Sequence, residues 1–131
     1  SKSKKNVIRG LHLQKKLQQD KFVSVIKGKI FDVVLDLRKK SKTYGKHYCI
    51  TLSDKNSKSL FIPAGFAHGF CSLEKENLVF YACTNYRSKK NELGILWNNK
   101  KINIRWPIKN PIISKKDKKN IKLQSISKNF G

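Results

Sequence analysis

The stretch Phe22-Val-Ser-Val-Ile-Lys-Gly-Lys-Ile-Phe-Asp-Val-Val-Leu-Asp-Leu37 contains two runs in which apolar and polar side chains alternate. A period of two residues, carried by β-branched and aromatic side chains, is typical of β-strands. We therefore predict strands over Phe22–Ile26 and Lys29–Leu37. Gly28 lies in the short connection between them, and we predict that the chain folds back there as a hairpin.

Further short runs of strand-forming residues follow at similar spacing. They cover Lys46–Ser53, Ser59–Ile62, His68–Leu73 and Leu78–Thr84. Turn-forming residues separate these runs, which predicts a sandwich or barrel. The one predicted helix begins near Ser114, because Ser114 and Asp117 have the spacing of a capping box.

Length and composition bound the class of protein. The chain has 131 residues, which predicts a single domain over 1–131. It contains no run of about 18 apolar residues, and Ser1–Lys5 lacks the apolar stretch of a secretory signal. We therefore expect a cytoplasmic protein with no membrane contact. The three cysteines are odd in number and lack Cys-x-x-Cys spacing, which argues against disulfides and a zinc knuckle.

The net charge of +22 raises the hypothesis of a nucleic-acid-binding protein. Nearly all of this charge is lysine, spread over loops and both ends, and only four arginines are present. Arginine is the usual bidentate reader of bases and phosphates. We interpret the charge mainly as a solvated surface that also attracts an anionic substrate.

Four residues have the chemistry of a catalytic site. They are His12, His68, Tyr81 and Asp117. Each also has an ordinary structural explanation, as a strand histidine, a residue after a Pro-x-Gly turn, a core aromatic and a first-turn acid of a helix. Considered singly, these residues leave both explanations open.

Considered together, six motifs in order resemble the dTDP-4-dehydrorhamnose 3,5-epimerase family across nearly the whole chain. The motifs are Arg9–Gln14, Ile62–Phe70, Tyr81–Tyr86, Gly94–Asn98, Ile104–Pro107 and Ile113–Asp117. The resemblance implies an all-β fold, a cupin-type double-stranded β-helix (jelly roll), to which we add the short C-terminal helix. It also implies a homodimer that needs no metal.

The resemblance implies a role for each of four residues. His12 would be the base that removes a proton beside the ketone of a nucleotide-linked 4-keto sugar, and Asp117 would hydrogen-bond the second ring nitrogen of His12. Tyr81 would return a proton from the opposite face. Lys21 would lie opposite the C4 oxygen, although the residue pattern alone indicates only a solvated lysine at a strand end. The expected separation of the His12 imidazole and the Asp117 carboxylate is about 2.6 to 3.2 Å.

Other positions match residues that contact substrate in the family. They are Arg9, His68, Tyr86, Glu92 and Lys115. Family members commonly have a second tyrosine directly after Tyr86, where this chain has Arg87. The family also has an additional N-terminal segment that helps the partner subunit to bind the nucleotide. We expect this chain to lack that segment, so either it is a fragment or its nucleotide is recognised differently.

The residues themselves argue against a catalytic metal, and we expect no cofactor. The Pro63-x-Gly-x-x-His68 turn resembles half of a metal-binding cupin pattern, whose other half needs two close histidines and a glutamate. Only His12 lies in the corresponding region, with no second histidine two residues away. The three histidines therefore do not fill an obvious first coordination shell.

The leading hypothesis is an isomerase that epimerises C3 and C5 of dTDP-4-dehydro-6-deoxyglucose in deoxysugar synthesis. One alternative is an epimerase of a single centre, or of another nucleotide sugar, because the same proton chemistry serves both. A second alternative is a non-catalytic cupin whose basic surface binds nucleic acid.

Overall fold

The computed structural model describes residues 1–16 and 18–126, which form ten strands, one short α-helix and two 3-10 turns. The strands are β1 (Lys2–Lys4), β2 (Val7–Gln14), β3 (Lys21–Lys27), β4 (Lys29–Asp36), β5 (His47–Ser53), β6 (Ser59–Ile62), β7 (Phe66–Ser72), β8 (Glu76–Cys83), β9 (Glu92–Gly94) and β10 (Ile112–Ile113). The α-helix is α1 (Lys115–Lys118), and the 3-10 turns are Lys89–Asn91 and Leu123–Ser125.

The strands form two sheets, and the pairs are antiparallel except that β10 runs parallel to β2. The smaller sheet has the order β1-β8-β3-β6. The larger sheet has the order β10-β2-β7-β4-β5, with β9 also paired to β2. The all-β class with a short C-terminal helix, and the cupin-type jelly roll, are confirmed.

The strands between residues 22 and 84 lie where the alternation predicts them, with ends that differ by one or two residues. Strand β2 confirms that His12 lies on a strand, whereas three strands were not predicted: β1, β9 and β10. They have only three, three and two residues, which is too short for a period of two to be visible.

The predicted hairpin at Gly28 is wrong. Strand β3 pairs with β6 and β8 in the smaller sheet, whereas β4 pairs with β5 and β7 in the larger one. Gly28 carries the chain from one sheet to the other, with φ of +92°. A Cβ atom there would lie 2.4 Å from the carbonyl oxygen of Glu76, so the close approach of β8 requires glycine.

Alternation along β4 builds two apolar clusters on opposite faces of the larger sheet. Ile30 and Val34 face the smaller sheet and join Val23, Phe70 and other residues between the sheets. Val33 and Leu35 point to the other face, which the C-terminal part of the chain covers. Since Asp32 shares its face with Ile30 and Val34, its carboxylate is directed into the space between the sheets.

A bulge in β2 puts two polar residues on one face of that strand. Arg9 pairs with Phe70, and His12 pairs with His68. The paired positions are therefore three residues apart along β2 but only two residues apart along β7. Without the extra residue, alternation would direct Arg9 and His12 to opposite faces. Gly10, with φ of +114°, lies in this bulge against the backbone of Gly69.

Helix α1 begins as the capping pattern predicts, because the amide of Asp117 donates to Ser114 Oγ at 3.1 Å. The helix has only four residues. None of the helices in the described residues has the length and apolar character needed to cross a membrane.

We predict that Gly10→Ala lowers the free energy of unfolding by about 2 to 4 kcal/mol, from backbone strain together with overpacking. A Cβ atom at Gly10 would lie 2.6 Å from the Gly69 Cα atom. Gly45→Ala is the matched control, since Gly45 also has positive φ but its nearest neighbour would be 3.5 Å away. We expect the control to lose about 1 kcal/mol in urea unfolding. Equal losses in both variants would show that the bulge is not packed as described.

Candidate active site

A cavity of about 660 Å³ lies between the two sheets, and β10 and α1 contribute to its wall. Its size is in the range of small-molecule sites. The ionisable side chains of the wall are Arg9, His12, Lys21, His68, Tyr81, Cys83, Arg87, Glu92, Lys116 and Asp117.

His12 and Asp117 form a hydrogen-bonded pair on this wall. His12 Nε2 and Asp117 Oδ1 are 2.6 Å apart, within the expected range. The His12 side chain is 28% exposed, whereas that of Asp117 is 5% exposed. When neutral His12 donates Nε2–H to this carboxylate, its Nδ1 has a free lone pair and can accept a proton.

The Asp117 carboxylate is held in place by further donors. The Gly10 amide donates to Oδ2 at 3.1 Å, and Asn120 Nδ2 lies 3.3 Å from Oδ1. Burial alone would raise the pKa of Asp117, but the hydrogen bond and charge of His12, with the Gly10 and Asn120 donors, lower it below its ordinary value. Asp117 is therefore ionised at neutral pH.

Tyr81 lies on the smaller sheet, across the cavity from the strand that carries His12. Its ring meets that of His68 edge to face, with centroids 5.9 Å apart. Burial, with the negative charge of Asp32, raises the pKa of Tyr81. The phenol therefore keeps its proton at neutral pH and can act as a donor.

Lys21 lies beside Tyr81 on the neighbouring strand, where its partner in register is Cys83. Burial lowers the pKa of Lys21, and the negative charges of Glu92 and Asp32 oppose that shift. The ammonium group is thus a partly desolvated cation on the same side of the cavity as Tyr81.

His68 and Asp32 form a second imidazole–carboxylate pair. His68 Nε2 and Asp32 Oδ1 are 2.5 Å apart, and both side chains are buried. Asp32 Oδ2 is buried and has no hydrogen-bond partner among the described residues. Sequence reasoning did not select Asp32, although its place between Ile30 and Val34 already predicts an inward carboxylate.

Most of the residues predicted for the site lie on the cavity wall. They are Arg9, His12, Lys21, His68, Tyr81, Glu92 and Asp117. Tyr86, which is 91% exposed, and Lys115, which is exposed at the start of α1, are not part of the wall. Lys116, the next residue, lines the cavity instead.

Glu92 joins two cations that sequence reasoning did not assign to the site. Arg87 Nε donates to Glu92 Oε2 at 3.2 Å, and Lys116 Nζ donates to Glu92 Oε1. The Glu92 side chain is only 9% exposed. Lys116 could have been selected from the sequence because it directly precedes Asp117. Arg87 could have been selected because it stands where family members commonly have a tyrosine.

No group of three or more His, Cys, Asp or Glu side chains in the described residues could hold a metal ion. Two of the three histidines are already hydrogen-bonded to carboxylates. The absence of a catalytic metal remains a prediction.

Comparison with known proteins agrees with the resemblance seen in the motifs. A family model described as dTDP-4-dehydrorhamnose 3,5-epimerase matches residues 1–125. The dTDP-4-dehydrorhamnose 3,5-epimerase of Shigella flexneri is 50% identical over 118 residues, which cover 89% of this chain and 65% of the relative. The chain thus spans slightly less than two thirds of the length of this curated relative.

Two solved structures show how closely the fold agrees. A dTDP-6-deoxy-D-glucose-3,5-epimerase of Legionella pneumophila, in complex with dTDP-4-keto-L-rhamnose, is 37% identical with a TM-score of 0.95, covering 99% of this chain and 70% of that chain. The dTDP-4-dehydrorhamnose 3,5-epimerase of Bacillus anthracis, with TDP and PPi bound, is 42% identical with a TM-score of 0.92, covering 94% and 71%.

We predict that Asp117→Asn lowers the free energy of unfolding near neutral pH by about 1 to 3 kcal/mol, because a buried charge-assisted hydrogen bond is weakened. The folded-state pKa of Asp117 lies below the unfolded-state value, which is about 3.9. Ionised Asp117 therefore stabilises the fold above that value, and its contribution disappears as the pH falls through the folded-state pKa.

Urea unfolding of both proteins from neutral pH down to about pH 3 would check this pH dependence. Glu76→Gln is the control, since Glu76 forms an exposed ion pair with Lys27 and we expect a much smaller effect. A difference between wild type and Asp117→Asn that does not change with pH would contradict the assignment.

Proposed function

The chain belongs to the dTDP-4-dehydrorhamnose 3,5-epimerase family, and from this we propose that it inverts C3 and C5 of dTDP-4-dehydro-6-deoxyglucose in deoxysugar synthesis. The observation that carries the proposal is the His12–Asp117 pair facing Tyr81 across a cavity. A cavity of about 660 Å³ suits a small molecule, which favours a nucleotide sugar over nucleic acid as the partner.

The chemistry begins with the ketone at C4 of the sugar. It acidifies the protons on C3 and C5, because either carbanion is delocalised onto the C4 oxygen as an enolate. Inversion then requires a base on one face of the ring, a proton donor on the other, and a group that stabilises the enolate oxygen.

We assign the base to His12. With its Nε2–H donated to Asp117, its Nδ1 can take the proton from carbon. The imidazolium that forms is stabilised by the ionised carboxylate 2.6 Å away. Because Gly10 and Asn120 also hold this carboxylate, the ring needs little reorganisation during the step.

We assign the proton donor to Tyr81 and the enolate contact to Lys21. Tyr81 extends from the sheet opposite His12, so a proton from its hydroxyl reaches the other face of the ring. Lys21, on the strand paired with β8, offers a desolvated positive charge to the developing oxyanion. Arg9, His68 and Glu92 are then substrate contacts on the same wall.

We also propose that the chain is a single cupin domain that forms a homodimer through the outer face of the smaller sheet. This face exposes large apolar side chains on β3, β6 and β8. They are Phe22, Ile26, Phe61, Leu78 and Phe80. Phe22 and Phe61 are direct cross-strand neighbours, so the apolar side chains of β3 and β6 adjoin each other there. Contiguous exposed apolar patches are typical of protein interfaces.

A cytoplasmic location is the compartment we propose. The free thiols Cys49, Cys71 and Cys83 support it, because thiols persist in reducing compartments.

We predict that the protein, incubated with dTDP-4-dehydro-6-deoxyglucose in deuterated water, exchanges deuterium into both C3 and C5, as counted by NMR. Exchange follows because each enolate is reprotonated from solvent-equilibrated side chains. Exchange at one centre alone would instead support a single-centre epimerase. No exchange at either centre would refute the proposed reaction.

Tyr81→Phe should separate proton removal from inversion. We expect inversion to slow by about 10² to 10⁴-fold, because the donor is lost. Exchange should persist, since His12 can remove a proton and return deuterium on the same face. Tyr48→Phe is the control, because Tyr48 is exposed on the larger sheet, away from the cavity. Equal loss of exchange and inversion in Tyr81→Phe would contradict a role as proton donor.

Phe80→Glu should disrupt the dimer, because it places a charge in the middle of the apolar face. Light scattering after size-exclusion chromatography should show a dimer for wild type and a monomer for the variant. Tyr48→Glu, on the other sheet, should remain dimeric. A Phe80→Glu variant with the mass of the wild type would contradict the proposed interface.

A further inference from the structure

Arg87 lies on the cavity wall, and most of its guanidinium donors are not used by the described residues. Its Nε donates to Glu92 Oε2 at 3.2 Å. Among the described residues, its two terminal nitrogens donate no hydrogen bond. The side chain is 61% exposed, so these nitrogens are accessible to a ligand that enters the cavity.

Glu92 orients Arg87 and leaves a surplus of positive charge. The same carboxylate also binds Lys116, so two cations share one anion. Glu92 itself is nearly buried, on a strand whose Gly94 pairs with His12. The surplus charge is therefore held beside the strand of the proposed base.

The geometry points to Arg87 as a specificity-determining residue that binds a phosphate of the substrate's diphosphate bridge. This inference rests on the proposed function, because it assumes a nucleotide sugar in the cavity. Arg87 occupies the position where a second tyrosine is common in the family, so the contact would distinguish this chain from such relatives.

A phosphate is the ligand group that matches these features best. A guanidinium fork binds phosphate oxygens through parallel charge-assisted hydrogen bonds. Glu92 already holds Nε, so the long Arg87 side chain loses less conformational entropy when the ligand binds.

The charge of Arg87 also reaches the inner part of the cavity. Burial is the main cause of the lowered pKa of Lys21, and the positive charge of Arg87 contributes in the same direction. Because Arg87 and Lys21 line the same cavity, one molecule can place a phosphate at Arg87 and its sugar near Lys21.

The inference can be tested by calorimetric titration with TDP and with uncharged thymidine. Arg87→Ala should weaken TDP binding about tenfold, the loss expected for a charged hydrogen bond, and leave thymidine binding unchanged. Arg87→Lys, which keeps the charge without the fork, should lie between wild type and Arg87→Ala. Arg105→Ala is the matched control, because Arg105 is exposed, lies outside the cavity wall and carries the same charge.

Three results would overturn the inference: unchanged TDP affinity in Arg87→Ala, an equal loss for TDP and thymidine, or no TDP binding by wild type. The equal loss would indicate contact with the base. Deuterium exchange by wild type is measured in parallel. If wild type exchanges deuterium but Arg87→Ala binds TDP with unchanged affinity, only the role of Arg87 is refuted. If TDP binding depends on Arg87 but wild type shows no exchange, only the proposed reaction is refuted.

Discussion

The hydrogen bond between His12 and Asp117 joins two parts of the chain that are 105 residues apart, and the geometry of the site depends on it. Strand β2 contributes the imidazole, and the four-residue helix α1 contributes the carboxylate. Several features bring them together. The bulge turns His12 into the cavity, Ser114 caps α1, and the Gly10 amide holds the second carboxylate oxygen.

Glycine is required where this arrangement brings backbones close together. A side chain at Gly10 would meet the backbone of Gly69 and the carbonyl of His68, whereas one at Gly94 would meet the side-chain amide of Asn120. Asn120 in turn lies within hydrogen-bond distance of Asp117. The packing around the pair therefore fixes the direction of the carboxylate.

The two histidine–aspartate pairs differ in their access to the cavity. His12 is 28% exposed, whereas His68, which also lines the cavity, is 5% exposed and its partner Asp32 is fully buried. The Asp32 charge acts on both Tyr81 and Lys21. The buried pair thus contributes to the electrostatic environment of the proton donor, while the accessible pair supplies the base.

Much of the fold and of the site was predictable from local patterns. Alternation located the strands between residues 22 and 84, and the capping pattern located α1, because both depend on neighbouring residues. The partner of β3 was not predictable in this way. Gly28 is equally compatible with a hairpin and with a crossing between sheets, and only the approach of β8 distinguishes them.

Side-chain direction was the other limit of sequence reasoning. A motif places Lys115 and Lys116 side by side, but only the helix shows that Lys116 lines the cavity. Likewise, the ion pair of Arg87 with Glu92 spans a loop whose course the sequence does not determine. Asp32 was recoverable from alternation, yet no motif drew attention to it.

The tautomer of His12 tests the central claim most directly, because the proposed base requires an unprotonated Nδ1. Long-range proton–nitrogen NMR of ¹⁵N-histidine-labelled protein, assigned with His12→Asn, would report it at a pH where the ring is neutral. The structure predicts Nε2–H, donated to Asp117, with a free Nδ1 facing the cavity. A neutral His12 protonated on Nδ1 would contradict the account, since the ring would then have no lone pair for the substrate.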